Sequence, residues 1–337
     1  MCHSNVVQSL SSGSHSDIGP RSRNEDSHIQ IDDLSTTLDF IKQSCPHKSG
    51  FYALFDGHGG SEASSYLKEN AMKLFFQDIK ISQEFLNLGD GNNDDSFSQE
   101  LKKFHAEAFR LADQAIADEG TIDEACGTTA LTAMFLGKRL MIANAGDSRA
   151  ILCSRGGVFT QLTEDHRPDS NKEKKRVEES GGFIEDGYLN GELGVTRALG
   201  DWFLKYPNGE KSSPLISEPD VFEFMLSDDD EFLIIACDGL WDVLSNQEAV
   251  NIVRKEMKMH GDPRRCAQEL VYQAMRRDSA DNVTVIVVSL TSSYDQDHHV
   301  PVEDAPAEES VPQRPRFKFS ALSEEARSKL RCLLEAN

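Results

Sequence analysis

The sequence predicts an α+β fold, a β-sandwich of antiparallel strands with helices on its outer faces. Short apolar runs at 128–136, 140–145, 149–154 and 158–162 follow one another closely, and only Gly137-Lys138, Gly146-Asp147 and Arg155-Gly156-Gly157 separate them. Such spacing leaves no room for crossover helices and reads as an antiparallel meander. Helical periodicity is confined to other stretches, so strand runs and helix runs are segregated, as in sheets covered by helices. With 337 residues, 38% of them hydrophobic, the core could be one large domain or two ordinary ones.

The elements follow in order. Residues 1–16 are rich in Ser and His and are expected to be poorly ordered. Strands are expected at 28–31 and 51–55. Residues 61–76 place Ala63, Tyr66, Leu67, Ala71, Leu74 and Phe75 on one helical face, and 99–117 repeat Leu101, Phe104, Ala108, Leu111, Ala115 and Ile116 at the same spacing. Between these helices 88–98 read as a polar loop. After the four strand runs, Ser170 with Glu173 and Ser245 with Glu248 each fit a capping box at a helix start. Lys172, Lys174, Lys175 and Arg176, interleaved with Glu173, Glu178 and Glu179, form either a solvated helix face or a docking patch. A strand at 232–237 follows. Asp262-Pro263 opens a helix that runs to about Arg277, and 283–290 form the last core strand.

The composition changes after Leu290. Residues 291–315 hold four prolines and many acids, the signature of a linker. A short helix at 323–334, with Leu322, Ala326, Leu330 and Leu333 on one side, either docks on the domain or a partner or frays. The expected division is a disordered 1–16, a core domain over 17–292, and a linker with a short helix over 293–337.

A net charge of −22 argues against a protein that holds nucleic acid by neutralising phosphates. Seven cysteines without a CxxC pair indicate reduced thiols in an intracellular protein, and Cys126, Cys153 and Cys237 lie in or beside apolar runs as inert core residues. No apolar run approaches the ~20 residues that span a bilayer. Met1-Cys2-His3 is neither a signal peptide nor a myristoylation start. The expectation is an intracellular monomer, cytoplasmic or nuclear, with no membrane contact.

Four acidic sites sit where strands begin or end. Glu25-Asp26 precede 28–31, Asp56 follows 51–55, Asp238 follows 232–237, and Asp281 precedes 283–290. A carboxylate at the tip of a buried strand is costly to desolvate unless a cation compensates it. Antiparallel strands bring one strand's end beside its neighbour's start, so the four can share an edge. An all-oxygen cluster suits hard ions such as Mg²⁺ or Mn²⁺.

The densest site is Asp56-Gly57-His58-Gly59-Gly60. Gly57 lets the backbone come close enough for its carbonyl to act as a ligand, and Gly59 and Gly60 free the chain to turn into a helix. His58 is either a chance surface residue or a proton donor beside the metal. Asp242 could join Asp238 at an outer metal position or serve only as a helix N-terminal acid. Asp281 could be a ligand or a turn cap. Arg21 and Arg23, just before the paired acids, suit either phosphate oxygens or salt bridges. Asp147 lies on a meander turn and by itself reads as a turn residue.

In this order, together with Cys126-Gly127-Thr128-Thr129-Ala130 and Gly194-Val195-Thr196-Arg197-Ala198-Leu199-Gly200-Asp201, these segments resemble the metal-dependent Ser/Thr phosphatases of the protein phosphatase 2C family. Gly187-Tyr188-Leu189-Asn190-Gly191-Glu192-Leu193 looks like its plant branch. The resemblance implies an α/β-β/α sandwich with two Mg²⁺ or Mn²⁺ ions at one edge and a weaker third. Asp56 would bridge the two ions and the Gly57 carbonyl would add a ligand. Asp238 and Asp281 would hold one ion, with Glu25 and Asp26 acting largely through waters on the other. Asp147, with Asp238 and Asp242, would form the third position.

Arg21 would bind the phosphate and His58 would protonate the departing Ser or Thr oxygen. A water bridging two divalent ions is available as hydroxide near neutral pH, and would attack phosphorus directly. The substrates would be phosphorylated proteins. The rivals are a catalytically silent binding module and a hydrolase of small phosphate esters. One departure stands out: the flap stretch Gly182-Phe183-Ile184-Glu185-Asp186-Gly187 lacks the tryptophan of the family's hormone co-receptor members.

Overall fold

The computed structural model describes residues 10–37, 49–76, 95–205 and 213–290. Two five-stranded antiparallel sheets dominate them. One sheet holds, in spatial order, β1 (Ser11–Asp17), β15 (Val283–Ser289), β14 (Asp230–Ala236), β8 (Arg149–Ser154) and β9 (Val158–Gln161). The other holds β13 (Asp220–Met225), β7 (Arg139–Ala145), β6 (Ala130–Leu136), β3 (Ser49–Phe55) and β2 (Ser27–Ile31).

Alternation along the strands builds four layers. Tyr52, Leu54, Leu131, Ala133, Phe135, Leu140 and Ile142 of the second sheet meet Ala150, Leu152, Leu233, Ile235, Ile286 and Val288 of the first, forming the inner core. On the second sheet's outer face, Phe51, Ala53, Phe55, Met134 and Met141 pack on α1 (Glu62–Phe76) and α2 (Asp95–Glu119). The first sheet's outer face, with Ile234, Val285 and Val287, packs on α5 (Asn246–His260) and α6 (Pro263–Arg276). Between them come α3 (Asn171–Glu179) and the single turn α4 (Asp238–Trp241). The predicted sandwich with outer helices is therefore the observed fold. No helix among the described residues is long and apolar enough to cross a membrane.

The structure corrects four local expectations. The meander breaks at Gly146: β7 and β8 lie in different sheets, because the chain crosses there with φ +129° against Thr129, where a Cβ would lie 2.4 Å from the threonine Cβ. Residues 11–16 are not disordered. They belong to β1, an edge strand that pairs along its length with β15 and lies so close to α6 that a Cβ on Gly13 would meet the Arg264 nitrogen at 2.1 Å. Asp95–Glu119 is longer than expected and turned, burying His105, Phe109, Ala112 and Asp113, while Phe104, Leu111 and Ala115 stay half-buried. It also takes up 95–98 of the expected loop; the rest of that loop, and 291–337, lie outside the described residues.

The fourth correction concerns α3. Ser170 is its N-cap without a side-chain bond, because Glu173 turns inward to Arg197, Arg176 and Thr196. Lys172 and Arg176 of the basic run are likewise engaged, Lys172 with Asp220 and Arg176 with Glu173, while Lys174 and Lys175 are exposed. The box at Ser245 and Glu248 forms as expected, and Asp262 caps α6.

Candidate metal centre and active site

Each sheet brings two of the strand-end acids together at its edge. In the second sheet Ser27 pairs with Phe55, so Asp26 and Asp56 leave the ladder side by side. In the first sheet Ala236 pairs with Val285 and the Cys237 nitrogen donates to the Thr284 carbonyl, which sets Asp238 beside the Asp281-Asn282 segment. The two edges then meet. Thr284 Oγ1 donates to Asp26 Oδ2 at 2.6 Å, and the Cys237 thiol reaches the same oxygen at 3.6 Å.

Asp56 belongs to two clusters of donor atoms. Its carboxylate, that of Asp26 and the Cys237 sulfur lie within 4.8 Å of one another, as do the carboxylates of Asp56, Asp147 and Asp238. Burial pushes the Asp26 carboxyl up to about 6, and raises Asp56 and Asp238 well above the usual range with help from their neighbours' charges. Asp147 and Asp281 are raised too, burial again coming first. Cys237 is a buried thiol pushed far up by burial and by the Asp26 charge, so it donates hydrogen bonds and does not compete as a thiolate.

The backbone around the acids is tightly fixed. A Cβ on Gly57 would lie 2.3 Å from the Glu25 carbonyl oxygen, which itself accepts from Ser64. Glycine is thus required by a close approach between the two acid segments. Asn282 ties them from the other side: its Oδ1 accepts from the Glu25 nitrogen and its Nδ2 donates to the carbonyls of Ile18 and Arg23. Thr129, in the gap between β5 (Gly127–Thr128) and β6, donates its nitrogen to the Asp56 carbonyl at 2.9 Å.

Two arginines flank the cluster. Arg21 Nη2 lies 2.6 Å from Asp281 Oδ2 at the exposed rim. Arg167 was not among the expected site residues, yet it makes three ion pairs: Nε with Asp147 at 2.8 Å, and Nη2 with Asp238 and Asp242, each at 3.0 Å. It explains how Asp242, with a 56% exposed side chain, is drawn to Asp238. Arg167 sits in Asp165-His166-Arg167-Pro168-Asp169, a polar stretch with no apolar pattern to mark it.

His58 leaves β3 by way of β4 (Gly57–His58), which pairs with β5. Its Nε2 lies 2.7 Å from Asp201 Oδ2. Asp201 was visible in the sequence only as the last residue of a longer motif, and nothing local marked it as a partner for His58.

The donor set fits hard divalent cations. Among the described residues no lysine or arginine bonds to Asp26 or Asp56, and the buried Asp26 Oδ1 has no hydrogen-bond partner at all. Oxygen donors with this much uncompensated charge suit Mg²⁺ or Mn²⁺. Every predicted acid is near the meeting of the two edges. The structure ties Asp26, Asp56, Asp147 and Asp238 most closely, Asp281 and Asp242 through arginines, and Glu25 through its backbone.

A family model described as protein phosphatase 2C matches residues 11–283. Over 331 residues the chain is 48% identical to "Probable protein phosphatase 2C 13" of Arabidopsis thaliana, covering 98% of this chain and 81% of that protein. It is 47% identical over 328 residues to "Probable protein phosphatase 2C 2" of Oryza sativa subsp. japonica, covering 97% and 82%. The fold is similar to the crystal structure of a serine-threonine phosphatase 2C from Toxoplasma gondii, with a TM-score of 0.66 and 24% identity over 84% of this chain and 95% of that one.

Proposed function

The chain belongs to the protein phosphatase 2C family of metal-dependent Ser/Thr phosphatases, and from that premise we propose that it hydrolyses phosphoserine and phosphothreonine at the meeting of its two sheet edges. The observation that carries this reading is Asp56, common to both clusters of donor atoms. Two Mg²⁺ or Mn²⁺ ions would be held by the carboxylates of Glu25, Asp26, Asp56, Asp238 and Asp281 with the Gly57 carbonyl. A weaker third would lie at Asp147, Asp238 and Asp242. Bound there, such ions supply positive charge for phosphoryl oxygens and make a water acidic enough to serve as nucleophile near neutral pH.

The chain's own residues do the rest. Arg21 pairs with Asp281 at the exposed rim, where ion pairs are worth little, so its planar fork is available to phosphate oxygens. His58 is 27% exposed beside the cluster and gives a proton to the Ser or Thr oxygen as its bond to phosphorus breaks. Asn282 and Thr284 hold Glu25 and Asp26 against the first sheet's edge, so the two halves of the site keep their spacing.

Turnover of a phosphoserine peptide tests this reading. EDTA should abolish it and Mn²⁺ restore it, and Asp56→Asn should remove it while circular dichroism stays unchanged. Turnover that persists in chelator, or in a folded Asp56→Asn protein, would overturn it.

A further inference from the structure

The partner of His58 sits where a three-stranded sheet of two-residue strands places it. β4, β5 and β12 (Leu199–Gly200) pair side by side, with β5 in the middle. In their register His58 and Gly200 both face Gly127. Gly127 has no side chain, and this opens the passage across the middle strand: a Cβ there would lie 2.0 Å from Asp201 Oδ2. His58 Nε2 and Asp201 Oδ2 meet at 2.7 Å.

Asp201 is held firmly for this contact. It is 1% exposed and adopts φ +51°, a left-handed conformation that Asp and Asn tolerate better than most residues. Its nitrogen donates to the Cys126 carbonyl at 3.1 Å and its carbonyl accepts from Leu204. Behind it Asp113 accepts from the Gly200 nitrogen at 2.8 Å and from Lys205 Nζ at 2.7 Å, closing the corner with a buried ion pair.

We propose that Asp201 is the positioning residue for His58: it fixes the imidazole with its Nε2 proton turned inward, so that Nδ1 is the nitrogen that serves the leaving group. A carboxylate can only accept, so Nε2 carries a proton in either charge state of the ring. No described residue bonds to Nδ1, which leaves it for the substrate. In the step, the Nδ1–H bond of the imidazolium breaks, its electron pair stays on nitrogen, and the proton bonds to the serine or threonine oxygen as the P–O bond breaks. Water returns the proton. A second-layer carboxylate fixing ring orientation and tautomer is a general device for catalytic and ligating histidines. The inference rests on His58 being the general acid, and the tests separate the two claims.

Two substrates report on the step: a phosphoserine peptide, whose leaving oxygen needs a proton, and p-nitrophenyl phosphate, whose leaving group hardly does. His58→Ala should slow the peptide by about 10²-fold or more and the aryl ester far less. Asp201→Asn, which keeps a residue suited to φ +51°, should reproduce that selectivity, and the double variant should be no slower than His58→Ala. Gly127→Ala, which pushes a methyl at the carboxylate, should shift the substrate ratio the same way. If His58→Ala is selective while Asp201→Asn slows both substrates equally or neither, the role of Asp201 is overturned and that of His58 stands. Equal losses on both substrates in His58→Ala would overturn the general acid and this inference with it. Imidazole ¹⁵N shifts in chelated wild-type protein give a reading independent of turnover. The neutral ring should be protonated at Nε2, and lose that preference in Asp201→Asn; a ring protonated at Nδ1 would overturn the inference directly.

Discussion

Arg167 is the cation that the fold itself supplies to the carboxylates, and its three contacts are all to acids of the outer metal position. Burial opposes its charge, and the four surrounding aspartates outweigh that and hold the guanidinium more strongly protonated than usual. Breaking a buried ion network by removing one partner typically costs about 3–5 kcal/mol, with Arg167 near the lower end because Asp242 is exposed. Arg167→Ala should therefore lower the Tm of chelated protein, and lower it much less in millimolar Mn²⁺, where divalent charge replaces the guanidinium. An equal drop in both conditions would show that Arg167 acts through packing alone. This residue was illegible in the sequence because its three partners are 20, 71 and 75 positions away and no apolar pattern marks its segment. Asp56, Asp238 and Asp281 were legible because each ends or begins a run of buried residues, where an unpaired acid is costly; Asp26 was legible only as an acid before a strand, since β2 is mostly half-buried.

The same contrast between local and distant partners decides the elements. Ser170 and Ser245 are each followed three residues later by glutamate, yet only Ser245 forms the box. Glu173 instead bonds Arg197, 24 residues away, and is 1% exposed. Burial there disfavours the charge, but Arg197, Arg176 and Thr196 outweigh it and hold the carboxyl at about 2. A carboxyl depressed in the folded state adds stability above its unfolded value, and that stability is lost as pH falls toward the folded value. The expected loss is about 3 kcal/mol between pH ~4.5 and ~2. Urea midpoints measured down this range should fall less steeply in Glu173→Gln, and parallel curves would refute the assignment. β1 was missed for another reason. Ser11–Asp17 has no apolar alternation, and forms because β15 offers it a full ladder and Gly13 admits α6. Gly13→Val should destabilise by about 1–3 kcal/mol or more through overpacking; a value near zero would contradict that tight contact.

At the scale of the whole molecule, the sandwich of strands and outer helices was readable from the segregation of the two periodicities. The crossing at Gly146 was not, because a glycine turn between two strands gives no sign of whether they share a sheet. That crossing sets Asp147 within reach of Asp56 and Asp238 and joins one sheet's edge to the other's. With a net charge of −22, the protein as a whole repels a phosphate, and bound metal ions would supply the local positive field there. The proposed metal ions flank Asp56 where the two edges meet. Anomalous diffraction at the manganese edge, from crystals grown with Mn²⁺, would locate them. Two peaks on either side of the Asp56 carboxylate are predicted, one toward Asp26 and one toward Asp238. A structure with Mn²⁺ bound elsewhere and no peak at Asp56 would contradict the proposal.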